Sequence, residues 1–289
     1  MKVARFSYGT STRLGVVLGD EIADVGTADA SLPVDVGGVL AAGAMAHVAS
    51  LVDKAPRIAM ADVVLQAPIA QPPEFLAIGL NYGEHIAESG SERPKVPMVF
   101  NKQATCVTGP FDPILIPHAA PTMVDYEGEL GVVIGRRCRA VPVERAHEVV
   151  GGWLVVDDVS VRDWQRASAT FTMGKSWDTH GPIGPWLVTP DEIADPHDLG
   201  LRTWVGGELR QDARTSQMLY SVWELIAHIT TAFTLLPGTI IATGTPSGVG
   251  AAMKPPRFLK PNTTVRIEIE GVGTIENMVL DEPNTGPIL

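Results

Sequence analysis

Cysteine is nearly absent from this 289-residue chain: only Cys106 and Cys138 occur, and neither belongs to the paired Cys or Cys/His spacing of a zinc site or disulfide framework. A reducing cytoplasm is the expected compartment. Basic residues are also short, 22 Lys plus Arg against 33 Asp plus Glu for a net charge of -11. That balance repels a phosphate backbone and argues against nucleic acid as a partner. Long apolar runs are missing too. No stretch reaches spanning length without interruption, and Met1 to Tyr8 lacks a signal-peptide pattern, so neither membrane nor secretion is expected. Internal repeats and heptads are absent, which removes solenoid and coiled-coil readings. What remains is globular composition. With 45% hydrophobic and only 19% charged residues, the chain has enough apolar surface to offset the entropy of ordering it. An acidic protein can still take an anionic metabolite if a bound cation sets the local field.

The first 70 residues carry short alternating runs, Thr12 to Leu18 and Glu21 to Val25, then an Ala-rich segment from Val39 to Val52 with helical character. Proline crowds Gln66 to Pro73, disfavouring helix and interrupting strand pairing. This linker-like stretch places a boundary near residue 70, with a small N-terminal α/β domain over 1–70 and a larger domain over 71–289. The larger part reads as strand-rich. Apolar runs recur at Phe75 to Gly79, Leu130 to Ile134, Trp153 to Val156, Trp186 to Val188, Ile240 to Ala242 and Val265 to Ile269, punctuated by Gly and Pro. Helical spacing is clearest between Gln217 and Leu235, stopped by Pro237-Gly238, and a shorter helix is expected over Val143 to Val150.

In Asp125-Tyr126-Glu127-Gly128-Glu129-Leu130 two glutamates sit two apart, leading into an apolar run. On a strand they point the same way with Cα atoms about 7 Å apart, and such carboxylates repel unless a cation lies between them. Gly128 leaves the opposite face small. An all-oxygen set suits Mg²⁺, Mn²⁺ or Ca²⁺ better than zinc. Glu-Xaa-Glu alone is common on solvated strand ends. Here, however, a second acidic pair, Asp157-Asp158, also closes an apolar run. Alternation sends its two side chains to opposite faces, so one of them joins the site.

These residues resemble the fumarylacetoacetate hydrolase superfamily. The likeness runs in order through Ala77-Ile78-Gly79-Leu80-Asn81-Tyr82, Tyr126-Glu127-Gly128-Glu129-Leu130, Asp158-Val159-Ser160-Val161-Arg162-Asp163-Trp164-Gln165 and Gly174-Lys175-Ser176-Trp177-Asp178-Thr179. It continues through Gly181-Pro182-Ile183-Gly184-Pro185-Trp186 and Thr243-Gly244-Thr245-Pro246-Ser247-Gly248-Val249-Gly250. The resemblance implies an α+β fold whose catalytic domain is a large mixed β-sheet of the β-roll type, usually as a homodimer. It also implies Mg²⁺ or Mn²⁺ held by Glu127, Glu129 and Asp158. The family commonly has Asn where this chain has Asp157, and the Val-Ser-Xaa-Arg-Asp that follows favours Asp158 as the third ligand.

His85 and Glu88 lie three apart, so on a helix they share a face and can form a proton-transfer dyad. Taken alone, an ordinary surface helix is the commoner outcome. The resemblance implies a His-Xaa-Xaa-Glu lid near the metal, with Glu84 a competing carboxylate. Lys175, by itself an ordinary loop lysine, is likewise implied to stand near the metal and substrate oxygens, where a cation can stabilise enolate charge. Arg162 and Gln165, three apart, are candidates for a carboxylate or distal carbonyl, and the resemblance gives Thr245 a contact to the substrate carboxylate. Thr243 to Gly248 lacks the ending of a phosphate loop, and neither Ser176 nor Ser247 sits in a Gly-Xaa-Ser-Xaa-Gly elbow, which disfavours a serine hydrolase. His228, inside the apolar helix, is expected to be packed, and His180, near the Lys175 loop, is left undecided.

The function this implies is hydrolytic cleavage of a C–C bond in a 2,4-dioxo acid, an acylpyruvate-like substrate, to pyruvate and a carboxylic acid. The same site chemistry also serves 2-oxo acid decarboxylation, 2-hydroxydienedioate isomerisation, sugar-acid dehydration or ureidoglycolate cleavage. A non-enzymatic binding protein is the remaining alternative.

Overall fold

The computed structural model describes residues 1–284. The chain opens with β1 (Lys2–Tyr8), β2 (Ser11–Leu18) and β3 (Glu21–Ala23), then helices α1 (Val25–Ala28), α2 (Val36–Ala41) and α3 (Met45–Leu51), then β4 (Arg57–Ala59) and β5 (Val64–Gln66). After the proline-rich stretch come β6 (Phe75–Gly79), α4 (Gly83–Ser89), β7 (Met98–Lys102), β8 (Val107–Thr108), β9 (Ile114–Ile116), β10 (Val124–Asp125), β11 (Gly128–Ile134) and β12 (Val150–Asp157). They are followed by β13 (Ser160–Val161), α5 (Arg162–Arg166), α6 (Thr172–Lys175), β14 (Gly181–Val188), β15 (Gly200–Val205) and β16 (Glu208–Arg214). The last elements are α7 (Val222–Ala232), β17 (Ile240–Ala242), β18 (Thr264–Ile269) and β19 (Gly273–Asp281).

A 12-stranded mixed sheet runs β4-β3-β2-β1-β14-β12-β11-β17-β6-β7, with β5 added beside β1 and β8 beside β14. A 5-stranded sheet runs β16-β15-β18-β19-β9, and β10 pairs with β13. The N-terminal strands enter the large sheet through antiparallel pairing of β1 with β14. This is the expected α+β architecture, with few helices.

β11 and β12 are buried along nearly their whole length, and strand alternation explains how they serve two cores. Leu130, Val132 and Ile134, with Trp153 and Val155, pack towards the smaller sheet and α7, against residues such as Ile267, Ile275, Leu225 and Ile229. Val133, Leu154 and Val156 point the other way, towards Val36, Val39 and Val48 of α2 and α3. The large sheet is therefore covered on both faces at its centre, where a continuous apolar run is the expected sequence signature.

Three expectations need correction. The helix expected from Gln217 begins at Val222, because Ser221 caps it in a box with Glu224, and Leu219 is instead held by a hydrogen bond from its N–H to the Asn81 carbonyl, 2.8 Å. His228 is exposed, not packed: Val222, Leu225, Ile226 and Ile229 form the buried stripe, and the helical period puts His228 with Glu224 and Thr231 on the outer face. The Val143 to Val150 helix is a 3-10 helix over Val143–Val149.

Candidate metal and acid-base site

Glycine at position 128 fixes which way the two glutamates point. A Cβ there would lie 2.3 Å from the Thr203 hydroxyl and 3.2 Å from Ile267, on the face turned to the smaller sheet. Only hydrogen fits, so Glu127 and Glu129 project to the opposite side. Antiparallel register puts Gly128 across from Asp157, and the Asp158 N–H donates to the Glu127 carbonyl at 2.9 Å. A carboxylate oxygen from each of Glu127, Glu129 and Asp158 thus lies within 4.8 Å of the others, all three buried. Asp157 turns away: one oxygen accepts the Glu127 N–H at 2.9 Å and the other has no partner.

Cations surround this cluster unevenly. Lys175 Nζ lies 2.5 Å from Glu127 and 2.7 Å from Asp158. Arg162 pairs with Glu127 at 2.7 Å and with Asp125 at 2.9 Å. Asp125 is itself fixed by the N–H groups of Tyr126, Gly250 and Ala251. Lys102 donates to Asp158 at 2.7 Å, to the His180 carbonyl at 2.9 Å and to the Lys175 carbonyl. Glu129 alone has no cation, accepting only the Gly244 N–H at 2.7 Å among the described residues. Burial opposes charge on Glu127, but Arg162, Lys175 and His85 outweigh it and hold the carboxyl well below the usual range. Burial pushes Glu129 the opposite way, well above that range, with Asp158 and Glu127 adding to the effect. Four carboxylates facing three cations leave an all-oxygen cradle short of positive charge, and a hard divalent ion fits that deficit.

The candidate proton-transfer pair, His85 and Glu88, sits on α4. His85 Nδ1 is 2.8 Å from Glu88 Oε1, and the other Glu88 oxygen accepts the Gly248 N–H at 2.9 Å. With Nδ1 donating to the carboxylate, Nε2 is left as the basic nitrogen. Glu84 is the lesser competitor: it accepts from Ser247 Oγ at 3.0 Å, not from His85.

A cleft of about 300 Å³ gathers His85, Glu88, Glu127, Glu129, Arg162, Gln165, Lys175 and Thr245 on its walls, with Asp158 buried beneath it. Its size suits a small metabolite. Gln165 and Thr245, like the charged groups, are engaged within the protein. The Thr245 hydroxyl accepts from Gln211 at 2.8 Å and donates to the Gly128 carbonyl at 3.1 Å, and Gln165 accepts from Arg162 at 3.0 Å. His180 lies apart from the cluster's oxygens. Its Nε2 donates to the Leu115 carbonyl at 2.9 Å, and burial pulls its pKa down to about 4, so it is a neutral structural histidine.

Sequence reasoning missed Lys102, Asp125 and Gln211. Lys102 closes the apolar strand β7 much as the acidic residues close theirs, and that position was the available signal.

The family model described as fumarylacetoacetate (FAA) hydrolase C-terminal matches residues 74–280. The chain belongs to this family. Among curated relatives, a mitochondrial oxaloacetate tautomerase of Xenopus laevis is 41% identical, over 97% of this chain and 90% of its own length. Fumarylacetoacetate hydrolase from Exiguobacterium antarcticum superposes with a TM-score of 0.88 at 37% identity, covering 98% of this chain and all of that one. Maleylpyruvate hydrolase from Sphingobium sp. SYK-6, solved with manganese(II) and pyruvate, gives 0.82 at 32% identity with the same coverage. The family is one of enzymes. Among the described residues no helix is long and apolar enough to cross a membrane.

Proposed function

We propose that this protein is a divalent-metal-dependent hydrolase of 2,4-dioxo acids, cleaving an acylpyruvate-like substrate to pyruvate and a carboxylic acid. The observation that carries the reading is the convergence of the Glu127, Glu129 and Asp158 carboxylates and the His85–Glu88 pair on one small cleft. Glu127, Glu129 and Asp158 would hold Mg²⁺ or Mn²⁺, and Ca²⁺ suits the same donors. When bound, the ion supplies Lewis acidity at the substrate's carboxylate and 2-oxo oxygens. The manganese and pyruvate in the maleylpyruvate hydrolase structure support this choice of ion and product.

The chain's own residues account for the remaining chemistry. His85 Nε2 takes a proton from water as the water oxygen adds to the distal carbonyl carbon, and Glu88 keeps the imidazole oriented. The bond between C3 and the distal carbonyl carbon then breaks, its electron pair passing to the C2–C3 enolate. Lys175, beside Glu127 and Asp158, offers positive charge to that enolate. A proton returned to C3 completes pyruvate, and the distal half leaves as the acid.

A second reading draws on the tautomerase relative. In it the same groups enolise an oxaloacetate-like acid, with His85 moving a proton to and from C3 and no water consumed. The two separate in one experiment. Acylpyruvate and oxaloacetate are each incubated with Mn²⁺, following loss of the enol absorbance and identifying products. Under the hydrolase reading, His85→Ala slows acylpyruvate cleavage by about 10²- to 10⁴-fold, the usual worth of a general base, and Glu127→Ala abolishes both turnover and Mn²⁺ binding. Pyruvate release undiminished in His85→Ala would remove the hydrolytic role, and enol exchange without cleavage would establish the tautomerase.

The two cysteines, both free and buried, fit a reducing, cytoplasmic setting, and the family likeness supports a homodimer, which light scattering tests.

A further inference from the structure

Lys102 belongs to the acidic cluster yet lies out of a substrate's reach. It closes β7 with a fully buried side chain, whereas Arg162 and Lys175 line the cleft. An ammonium carries three protons, and three oxygens take them: Asp158 Oδ1 at 2.7 Å, the His180 carbonyl at 2.9 Å and the Lys175 carbonyl. The first is an oxygen of a candidate metal ligand. The other two bracket the turn over 175–180. The same strand end holds that turn a second time, through the Gln103 N–H, which donates to Ser176 Oγ at 3.0 Å. Asp158 Oδ2, the other oxygen of the carboxylate, accepts from Lys175 Nζ at 2.7 Å. Lys102 thus holds one oxygen of Asp158 directly, and holds the backbone of the residue whose side chain meets the other.

We infer that Lys102 is a positioning residue, whose ammonium fixes the Asp158 carboxylate and the turn over 175–180 as one unit, so that Asp158 and Lys175 are presented together. The inference rests on the metal reading above and gives a role to a residue outside the reacting groups. A buried partner that orients a metal ligand is worth about 10- to 100-fold in metal affinity. Charge alone acts in the opposite direction, because a buried cation beside the cradle repels an incoming ion. The sign of the change in affinity therefore separates positioning from mere charge balance.

The test is Lys102→Met, which approximates the length of the side chain and removes its donors. Calorimetric titration of chelator-treated protein with Mn²⁺, well below the melting temperature, should find the variant's affinity about 10- to 100-fold weaker than wild type. Amide hydrogen exchange should show residues 176–180 less protected in the variant, and in wild type more protected once Mn²⁺ is added. Mn²⁺ binding that is unchanged or tighter in Lys102→Met makes Lys102 a packing residue or a counter-charge and overturns the inference. Should the variant not fold, wild-type exchange decides alone: protection of residues 176–180 that does not respond to Mn²⁺ overturns it. Failure of wild type to bind Mn²⁺ overturns the metal reading, and the inference with it.

Discussion

Asp157 is a buried acid with one oxygen unpartnered, and burial pushes its pKa up to about 7, with Asp158 among the charges adding to the effect. A carboxyl with a raised folded pKa binds its proton more tightly in the native state, so its contribution is full at low pH and is lost as pH rises from about 4 to about 7. Asp157→Asn keeps an oxygen for the Glu127 N–H and removes the titration. Urea unfolding of chelator-treated protein should therefore find the variant equal to wild type near pH 4 and more stable by a few kcal/mol at pH 8. Equal midpoints at pH 8 would mean that Asp157 is charged without penalty. At this scale the candidate ligands were legible because Glu127, Glu129 and Asp158 are acids at the ends of apolar strands. Lys102 was not, because it lies 56 positions from Asp158 in sequence and meets it only on folding, and strand alternation reports a face without naming what lies across it.

The elements nearest the site depend on a missing side chain. β11 passes so close to the smaller sheet that position 128 has room for hydrogen alone, and Thr203 and Ile267, both fully buried, cannot swing away. Gly128→Ala should cost about 1–3 kcal/mol through overpacking, read as a lower urea midpoint with unchanged slope. It should also weaken Mn²⁺ binding, because the clash pushes apart the strand that carries Glu129. Full stability together with full Mn²⁺ affinity would mean that the sheets separate freely there. The strands themselves were largely visible in sequence: β6 and β17 have the expected bounds, and the others extend the expected runs by a few residues. The start of α7 was not, since Leu219 continues the apolar spacing but Ser221 with Glu224 makes the stronger start signal. Periodicity describes a face, whereas the cap decides where the helix begins.

Across the whole molecule the acidic cradle is a place where folding leaves charge uncompensated. Two cores close over β11 and β12, shutting out the solvent that would otherwise screen Glu129. Lys102, Lys175 and Arg162 satisfy the neighbouring acids and leave Glu129 without a cation. An ion that binds only the folded cradle stabilises it by mass action, about 2.7 kcal/mol at a hundredfold excess over its dissociation constant. For a chain of this size that corresponds to a rise of several degrees in melting temperature. Wild type should show this rise with Mn²⁺ and a smaller one with Mg²⁺, and chelation should reverse both. Glu129→Gln tests whether the effect comes from the cradle. Glutamine is as neutral as the protonated glutamate that burial favours and keeps an oxygen for the Gly244 N–H, so the metal-free variant should melt at or above the wild-type temperature. Its response to Mn²⁺ should vanish, because a carboxylate ligand has been replaced by a weaker amide donor. A variant that loses metal-free stability yet keeps the full Mn²⁺ response would make Glu129 a structural residue and move the ion elsewhere.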